Sequence, residues 1–290
     1  MGWGMLVGCP ICETFIIMKT IIAPEHLREP MPHVFPPCNL IHFEEWFSDN
    51  YIGCDSERYF IDLFWTSVYV SRDYAKETQN DVQEFIDSLD KDKKYFTICQ
   101  YDEGVLVDFK DLDVIQFNMS VDNGVIIPLL CTPHEKQFKE IRNIKASFIG
   151  TISHPIRQKM IDACKGQSDY YISTGYHDYT QYNRILAKSV FALCPRGYGL
   201  SSFRCYNEAM YQGAIPIYIS DKFIQPYGID FNTYGLLVKE NEVENLTEIL
   251  NSVSDEEILL KQQNISKMYN RYFTFDGCCN SIISYLEKTK

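Results

Sequence analysis

No stretch of this 290-residue chain stays apolar for the roughly 18 residues that a membrane-spanning helix needs, which excludes membrane insertion. Positive charge is also short: 27 lysines and arginines stand against 39 aspartates and glutamates, a net charge of −12. That balance argues against nucleic acid held on a basic surface, and against long-range attraction to an acidic membrane or a polyanionic acceptor. A local basic pocket remains compatible with it. The 11 cysteines have no framework spacing. Cys9 and Cys12 form a lone CxxC without a second pair at zinc-finger distance. Reduced, buried thiols and a cytoplasmic compartment are therefore expected. The apolar segment Met1 to Met18 has no basic start and is broken by Pro10 and Glu13, so it does not read as a signal peptide. No Gly-Lys phosphate loop is present, which ranks a sulfotransferase using an adenine nucleotide last. No repeat and no low-complexity block is visible.

What is present is an ordinary globular composition, 46% hydrophobic and 23% charged, enough to bury a sizeable core. The 20 tyrosines and 18 phenylalanines suit carbohydrate stacking, but a tyrosine-rich core accounts for most of them. Pro24 to Pro37 reads as an extended entry segment. His42 to Tyr51 and Asn80 to Leu89 read as helices. Ile61 to Val70 reads as an apolar β run, with short strands at Tyr95 to Cys99, Val105 to Phe109, Val114 to Asn118 and Val125 to Pro128.

From Lys145 the alternation is cleaner. Strands are expected at Ala146 to Gly150, Tyr170 to Ser173, Val190 to Leu193 and Ala214 to Ser220. Between them fall helices at Pro155 to Cys164, Tyr179 to Lys188 and about Phe203 to Gln212. Repeated β-α-β units predict an α/β fold with a doubly wound parallel sheet, which binds nucleotides at its strand ends. The division is expected near Pro133 to Arg142, giving an N-terminal unit of 1–135 and a C-terminal unit of 140–275. The C-terminal helix, about 276–290, is a candidate to return to the first unit.

The chemistry concentrates in Ser189 to Asp221, SVFALCPRGYGLSSFRCYNEAMYQGAIPIYISD. An apolar strand leads to Pro195-Arg196-Gly197-Tyr198-Gly199, where two glycines allow a close ligand. Ser201 or Ser202 then caps a helix whose start offers unpaired N–H groups and partial positive charge to a diphosphate. Arg204 adds a full charge in the first turn. Glu208, four residues on, suits ribose hydroxyls. The plainer alternative is a surface Arg204–Glu208 pair, and spacing alone does not separate the two.

This segment resembles the C-terminal motif of the exostosin family of glycosyltransferases. Their pattern runs roughly Ser-x-Phe-x-Leu-x-Pro-x-Gly, Ser-x-x-Arg-x-x-Glu-Ala, Gly-x-Ile-Pro-Val. Ser189, Phe191, Leu193, Pro195, Gly197, Ser201, Arg204, Gly213, Ile215 and Pro216 match it. Glu208-Ala209 falls one residue later than in the pattern, and Ile217 replaces the valine. Ala146 to Arg157 resembles the family's Phe-x-Gly and Arg-bearing helix. Ile61 to Tyr69 resembles an N-terminal strand with Ser67 where proline is usual, and Val125 to Pro128 the strand leading to an Ile-Pro. The likeness covers about residues 40–280.

The resemblance implies the GT-B fold, two Rossmann-like domains facing across a cleft, with donor on the C-terminal and acceptor on the N-terminal side. It implies a UDP-sugar donor, an oligosaccharide acceptor and inversion at the anomeric carbon. Cellular members carry a membrane anchor. A short version without one resembles forms found in large algal viruses, which would place it in host-cell cytoplasm and favour UDP-xylose. UDP-glucuronate, UDP-galactose and UDP-GlcNAc are the other donors considered. Arg157, Arg196, Arg204 and the helix start are expected to stabilise departing UDP without a metal or other cofactor.

The base is expected after a strand of the N-terminal unit, with Asp73 first and Asp102 and Asp55 as rivals. Asp111-Leu112-Asp113 has the DxD form of metal-binding transferases but reads as a solvated turn beside Lys110. His154 and His177 are secondary cleft candidates. Retaining GT-B enzymes often place a second glutamate eight residues after the first. Here that position is Pro216, in keeping with inversion. The alternative function is an inactive nucleotide- or glycan-binding protein on the same fold.

Overall fold

Two parallel five-stranded sheets organise the computed structural model, which describes residues 19–30, 41–51, 53–71, 78–119, 123–132 and 140–289. The first runs in chain order: β1 (Thr20–Ile22), β2 (Tyr59–Asp62), β3 (Lys94–Cys99), β4 (Asp113–Asn118) and β5 (Val125–Ile126). Helix α1 (Phe43–Asn50) lies between β1 and β2, and α2 (Trp65–Ser71) and α3 (Gln79–Asp87) between β2 and β3. Five of the six residues of β3 are buried, as a parallel strand covered on both faces requires. On one face Phe60 and Phe96 stack at 5.2 Å and meet Phe43 and Phe47 of α1. On the other, Ile61, Tyr95 and Cys99 pack with Trp65, Tyr69, Val82 and Ile86 of α2 and α3. The aromatic excess of the sequence is largely this core.

The second sheet contains β6 (Ile144–Ile149), β7 (Tyr170–Ser173), β8 (Ser189–Pro195), β9 (Ile215–Ile219) and β10 (Leu236–Val238). Its order, β7-β6-β8-β9-β10, is the 2-1-3-4-5 winding of nucleotide-binding sheets. Helix α4 (Pro155–Ala163) starts with proline at its first position, and the Asp178 carboxylate caps α5 (Tyr179–Lys188) by accepting from Gln181 N at 2.9 Å. After β10 come α6 (Leu246–Ser252), α7 (Asp255–Tyr272) and α8 (Phe275–Lys288). The last packs on the first sheet's helix, with the Phe275 ring 5.6 Å from Phe43 and 5.1 Å from Trp46. Two parallel α/β sheets in one chain accord with the GT-B fold that the resemblance implies. No helix among the described residues is long and apolar enough to cross a membrane.

Three local expectations change. The run Ile61 to Val70 is not one strand: β2 ends at Asp62 and α2 begins at Trp65. The Glu44 carboxylate, from α1, accepts from Thr66 N at 3.0 Å and Thr66 Oγ1 at 2.7 Å, and so caps α2 from a distant element. A β-prone sequence is thereby held as helix by a contact no local propensity reports. Val105 to Phe109 forms no strand. Its backbone is satisfied by helix side chains instead: Leu106 N donates to Tyr69 OH at 3.1 Å and Asp108 N to Gln83 Oε1 at 2.9 Å. The helix expected at Phe203 to Gln212 is a π-helix over Arg204–Met210.

Glu44 also accepts from Gln100 N, just beyond β3, so one buried carboxylate ties α1, α2 and the end of β3 together. Burial outweighs those hydrogen bonds and pushes its pKa from the ordinary 4.5 up to about 7. The folded protein thus holds a proton that the unfolded chain has released, and Glu44 makes folding less favourable as pH rises from about 4.5 to about 7. Urea melts across that window should show wild type losing stability relative to Glu44→Gln. Parallel stability curves for the two proteins would show that Glu44 is not the proton carrier.

Candidate functional site

The strand order places a crevice where chain direction diverges: β6 continues to β7 on one side, while β8 leads to β9 and β10 on the other. The C-terminal ends of β6 and β8 bring Gly150 and Pro195 to its two edges. Arg204 lies between them. Its Nη1 donates to Ile149 O at 2.8 Å and to Tyr182 OH at 3.1 Å, and its guanidinium lies 5.1 Å from the Phe148 ring centre. Tyr182, from α5, also donates its hydroxyl hydrogen to Glu208 Oε2, which stands 3.9 Å from Arg204 Nη1. Both side chains are mostly buried, 16% and 17% exposed, so the surface-pair alternative is excluded.

The one-residue displacement of Glu208-Ala209 from the motif coincides with the π-helix. An i→i+5 hydrogen-bonded turn takes one residue more than an α turn, and single π turns are common at functional sites. Arg204 and Glu208 remain within contact across it. Ser202 supports the helix start, its Oγ accepting from Arg204 N at 3.2 Å, and Ser201 precedes it at intermediate exposure.

A second guanidinium joins the first. Arg157, in the first turn of α4, donates from Nη1 to Thr151 O at 2.9 Å and from Nε to Arg196 O at 3.2 Å. Burial, and next the neighbouring Arg204 charge, push its pKa down to about 10, so it stays cationic at neutral pH. Gly197 keeps the loop against it: a Cβ there would lie 3.3 Å from Arg157 Nη2. Gly150 does the same for Arg204, whose Nη2 would be 2.7 Å from an added Cβ. Two like charges are thus drawn together on backbone carbonyls, an arrangement suited to an anion with several oxygens. Arg196 turns away, donating to Tyr198 O at 3.2 Å and facing Glu240 at 3.8 Å.

The same loop reaches the first sheet. Tyr198 OH donates to Glu103 Oε1 at 2.5 Å, and Gly199 approaches Asp102 so closely that a Cβ would fall 2.0 Å from Oδ1. Nearby, His42 packs edge-on to Phe203 at 5.7 Å and Cys131 N donates to Asn207 Oδ1 at 3.2 Å.

The remaining candidates separate. Asp73 lies outside the described residues. Asp55 is exposed and precedes β2, so it sits at the opposite end of the sheet from the strand C-termini. Asp113 opens β4 and pairs with Arg58 at 2.8 Å, while Asp111 pairs with Lys91 at 3.1 Å. His154 caps α4 by accepting from Ile156 N at 3.3 Å. His177 bonds Tyr171 OH at 2.8 Å in the turn after β7. Sequence reasoning did not single out Tyr182 or Gly150 as site residues. Tyr182 lies 22 positions from Arg204 on another helix, and nothing in spacing joins them.

Residues 102–253 match the Exostosin GT47 domain, slightly more than half of the chain. The chain is 30% identical over 123 residues to an Exostosin-1 homolog of Caenorhabditis elegans, a match covering 39% of this chain and 32% of that protein. It is 25% identical over 170 residues to a probable glycosyltransferase of Arabidopsis thaliana, covering 57% of this chain and 31% of the relative. With the probable beta-1,4-xylosyltransferase IRX10 of the same plant it shares 36% identity over 86 residues, 29% of this chain and 21% of that one. The chain thus matches only about a third of the length of the first two relatives. Two parallel sheets flanked by helices, with Arg157 and Arg204 at the switch point of the second, define an α/β protein of the doubly wound class. The chain belongs to the exostosin GT47 family of glycosyltransferases.

Gly150→Ala forces a methyl group into the Arg204 guanidinium and should lower kcat/KM by roughly 10²-fold, as displacements of about an ångström do, while leaving the melting temperature near wild type. Unchanged kinetics would show that the position of Arg204 does not matter to turnover.

Proposed function

We propose that this chain transfers a sugar from a UDP-sugar to a hydroxyl of a glycan acceptor, inverting the anomeric carbon. The observation that carries this reading is the pair of guanidinia, half-buried Arg157 and buried Arg204, at the switch point of a doubly wound sheet. In this reading they bind the diphosphate and neutralise the charge that grows on it as the glycosidic bond breaks. The backbone amides of Gly197, Tyr198 and Gly199, together with Ser201 and Ser202, supply further donors. Glu208, oriented by Tyr182, accepts from ribose hydroxyls. The similarity to a probable glycosyltransferase supports glycosyl transfer, and the similarity to a probable xylosyltransferase makes UDP-xylose the first donor to try.

Residues 140–275 hold the donor, residues 1–135 face the acceptor, and α8 completes the latter unit. Donor binding needs no divalent metal, since two arginines already supply the charge. Inversion follows if a base on the acceptor side takes the proton of the acceptor hydroxyl while its oxygen displaces UDP in one step, without a covalent intermediate on the protein.

A ligand that binds only the native state raises its melting temperature. UDP should stabilise the protein equally with and without EDTA, and UDP-sugars should be ranked by the same assay. Arg204→Ala should remove that shift and cut turnover by about 10²–10³-fold, the effect of losing one charge-stabilising donor. Stabilisation by another nucleotide and not by UDP would discard the donor. Binding of UDP with no transfer or hydrolysis of any donor would point to an inactive binding protein.

A further inference from the structure

The carboxylates near the C-terminal edge of the first sheet have different surroundings. Asp62, at the end of β2, is buried and paired with Arg28 at 2.7 Å. Glu44 is spent on Thr66 and Gln100. Glu103 accepts from Tyr198. Asp102 lies against the backbone of the same loop at Gly199. It follows β3 by three residues, in a turn closed by the Gly104 N to Tyr101 O hydrogen bond at 2.9 Å. Gly104 takes the left-handed φ of 73° that this turn needs. Tyr101 anchors the turn, buried and packed 5.1 Å from the Tyr69 ring. Across from it, Gly199 has no side chain, and any Cβ there would collide with both Asp102 carboxylate oxygens, at 2.0 and 2.9 Å.

We propose that Asp102 is the general base of the transfer, taking the proton from the acceptor hydroxyl. The assignment rests on the donor reading above, because it places the base two residues along the loop from the Gly197–Arg157 contact. In the step, the acceptor oxygen forms a bond to the anomeric carbon as the bond from that carbon to the β-phosphate oxygen breaks. The electron pair leaves with UDP, beside Arg157 and Arg204, and the hydroxyl proton passes to the Asp102 carboxylate. No oxidant, reductant or metal enters the balance. Gly199 acts as the positioning element: its lack of a side chain sets how near the base comes to the donor loop.

Burial first, and the neighbouring Glu103 carboxylate second, push the Asp102 pKa up to about 6. The groups facing it are Glu103 on its own turn, the buried Cys99 thiol at the end of β3, and on the donor loop Gly199 with Tyr198 beside Glu103. A base must be ionised to act, so kcat should be level above about pH 6 and fall tenfold per unit below it.

The test compares wild type, Asp102→Asn and Arg204→Ala for UDP-induced thermal shift and for turnover of the best UDP-sugar, with kcat measured against pH. Asp102→Asn should keep the UDP shift and lose turnover by about 10²–10⁴-fold, the usual contribution of a positioned base. Arg204→Ala should lose both. Turnover surviving in Asp102→Asn while Arg204→Ala is dead overturns the base and spares the transferase. Loss of UDP binding in Asp102→Asn shows a structural role and overturns the assignment. A wild type that turns over no donor overturns the transferase reading and the base with it. Should Asp102→Asn not fold, the wild-type profile decides: a kcat independent of pH through 6 overturns the proposal.

Discussion

A guanidinium taken out of water must find acceptors for its donors, and the way Arg204 finds them shapes much of the C-terminal unit. The carbonyl of Ile149 supplies one and the hydroxyl of Tyr182 another, so the end of β6 and the helix α5 are both fixed relative to β8. Gly150 follows from the same demand, because a side chain there would occupy the guanidinium's place. Phe148 gives the planar group a face to lie against. The π-helix keeps Glu208 in reach despite the extra residue in the motif. Most of these features resist explanation singly and become simple once the buried charge is taken as given.

Glu44 has the corresponding place in the N-terminal unit. Its carboxylate starts one helix and fastens the residue after β3, two positions before Asp102. The raised pKa reflects the cost of holding such a group away from solvent. Both units therefore place a buried ionisable side chain at the end of a central parallel strand. Each does so with acceptors or donors drawn from elements distant in sequence. These ends are also where the two units touch, through Gly199 and Asp102 and through Tyr198 and Glu103.

Much of this was legible in the residues. Four strands of the second sheet, β6 to β9, follow from alternating apolar runs and helices between Lys145 and Ser220, and α5 falls on Tyr179 to Lys188 as read, while β10 lies beyond that span. Gly197, Gly199 and Arg204 were marked by local chemistry, and the resemblance added Arg157. What escaped was non-local. Trp65 to Val70 has the composition of a strand and is a helix because Glu44 caps it from 22 residues away. Val105 to Phe109 looked like a strand until the side chains of Gln83 and Tyr69 took its amides. Asp102 was one of several loop carboxylates until the fold brought Gly199 to it. Tyr182 carried no signal, since a tyrosine on an amphipathic helix is ordinarily packing.

The seating of α8 on α1 bears on how the molecule is made. Phe275 fills the space between Phe43 and Trp46, and Tyr285 meets Phe117 at 5.7 Å, so the first sheet lacks part of its cover until the final helix arrives. A ribosome delivers the chain in order. The second sheet has all its strands before α7 is made, while the earlier-made sheet still waits for α8. The half synthesised first is thus the half completed last, and part of its aromatic face stays uncovered until α8 is in place.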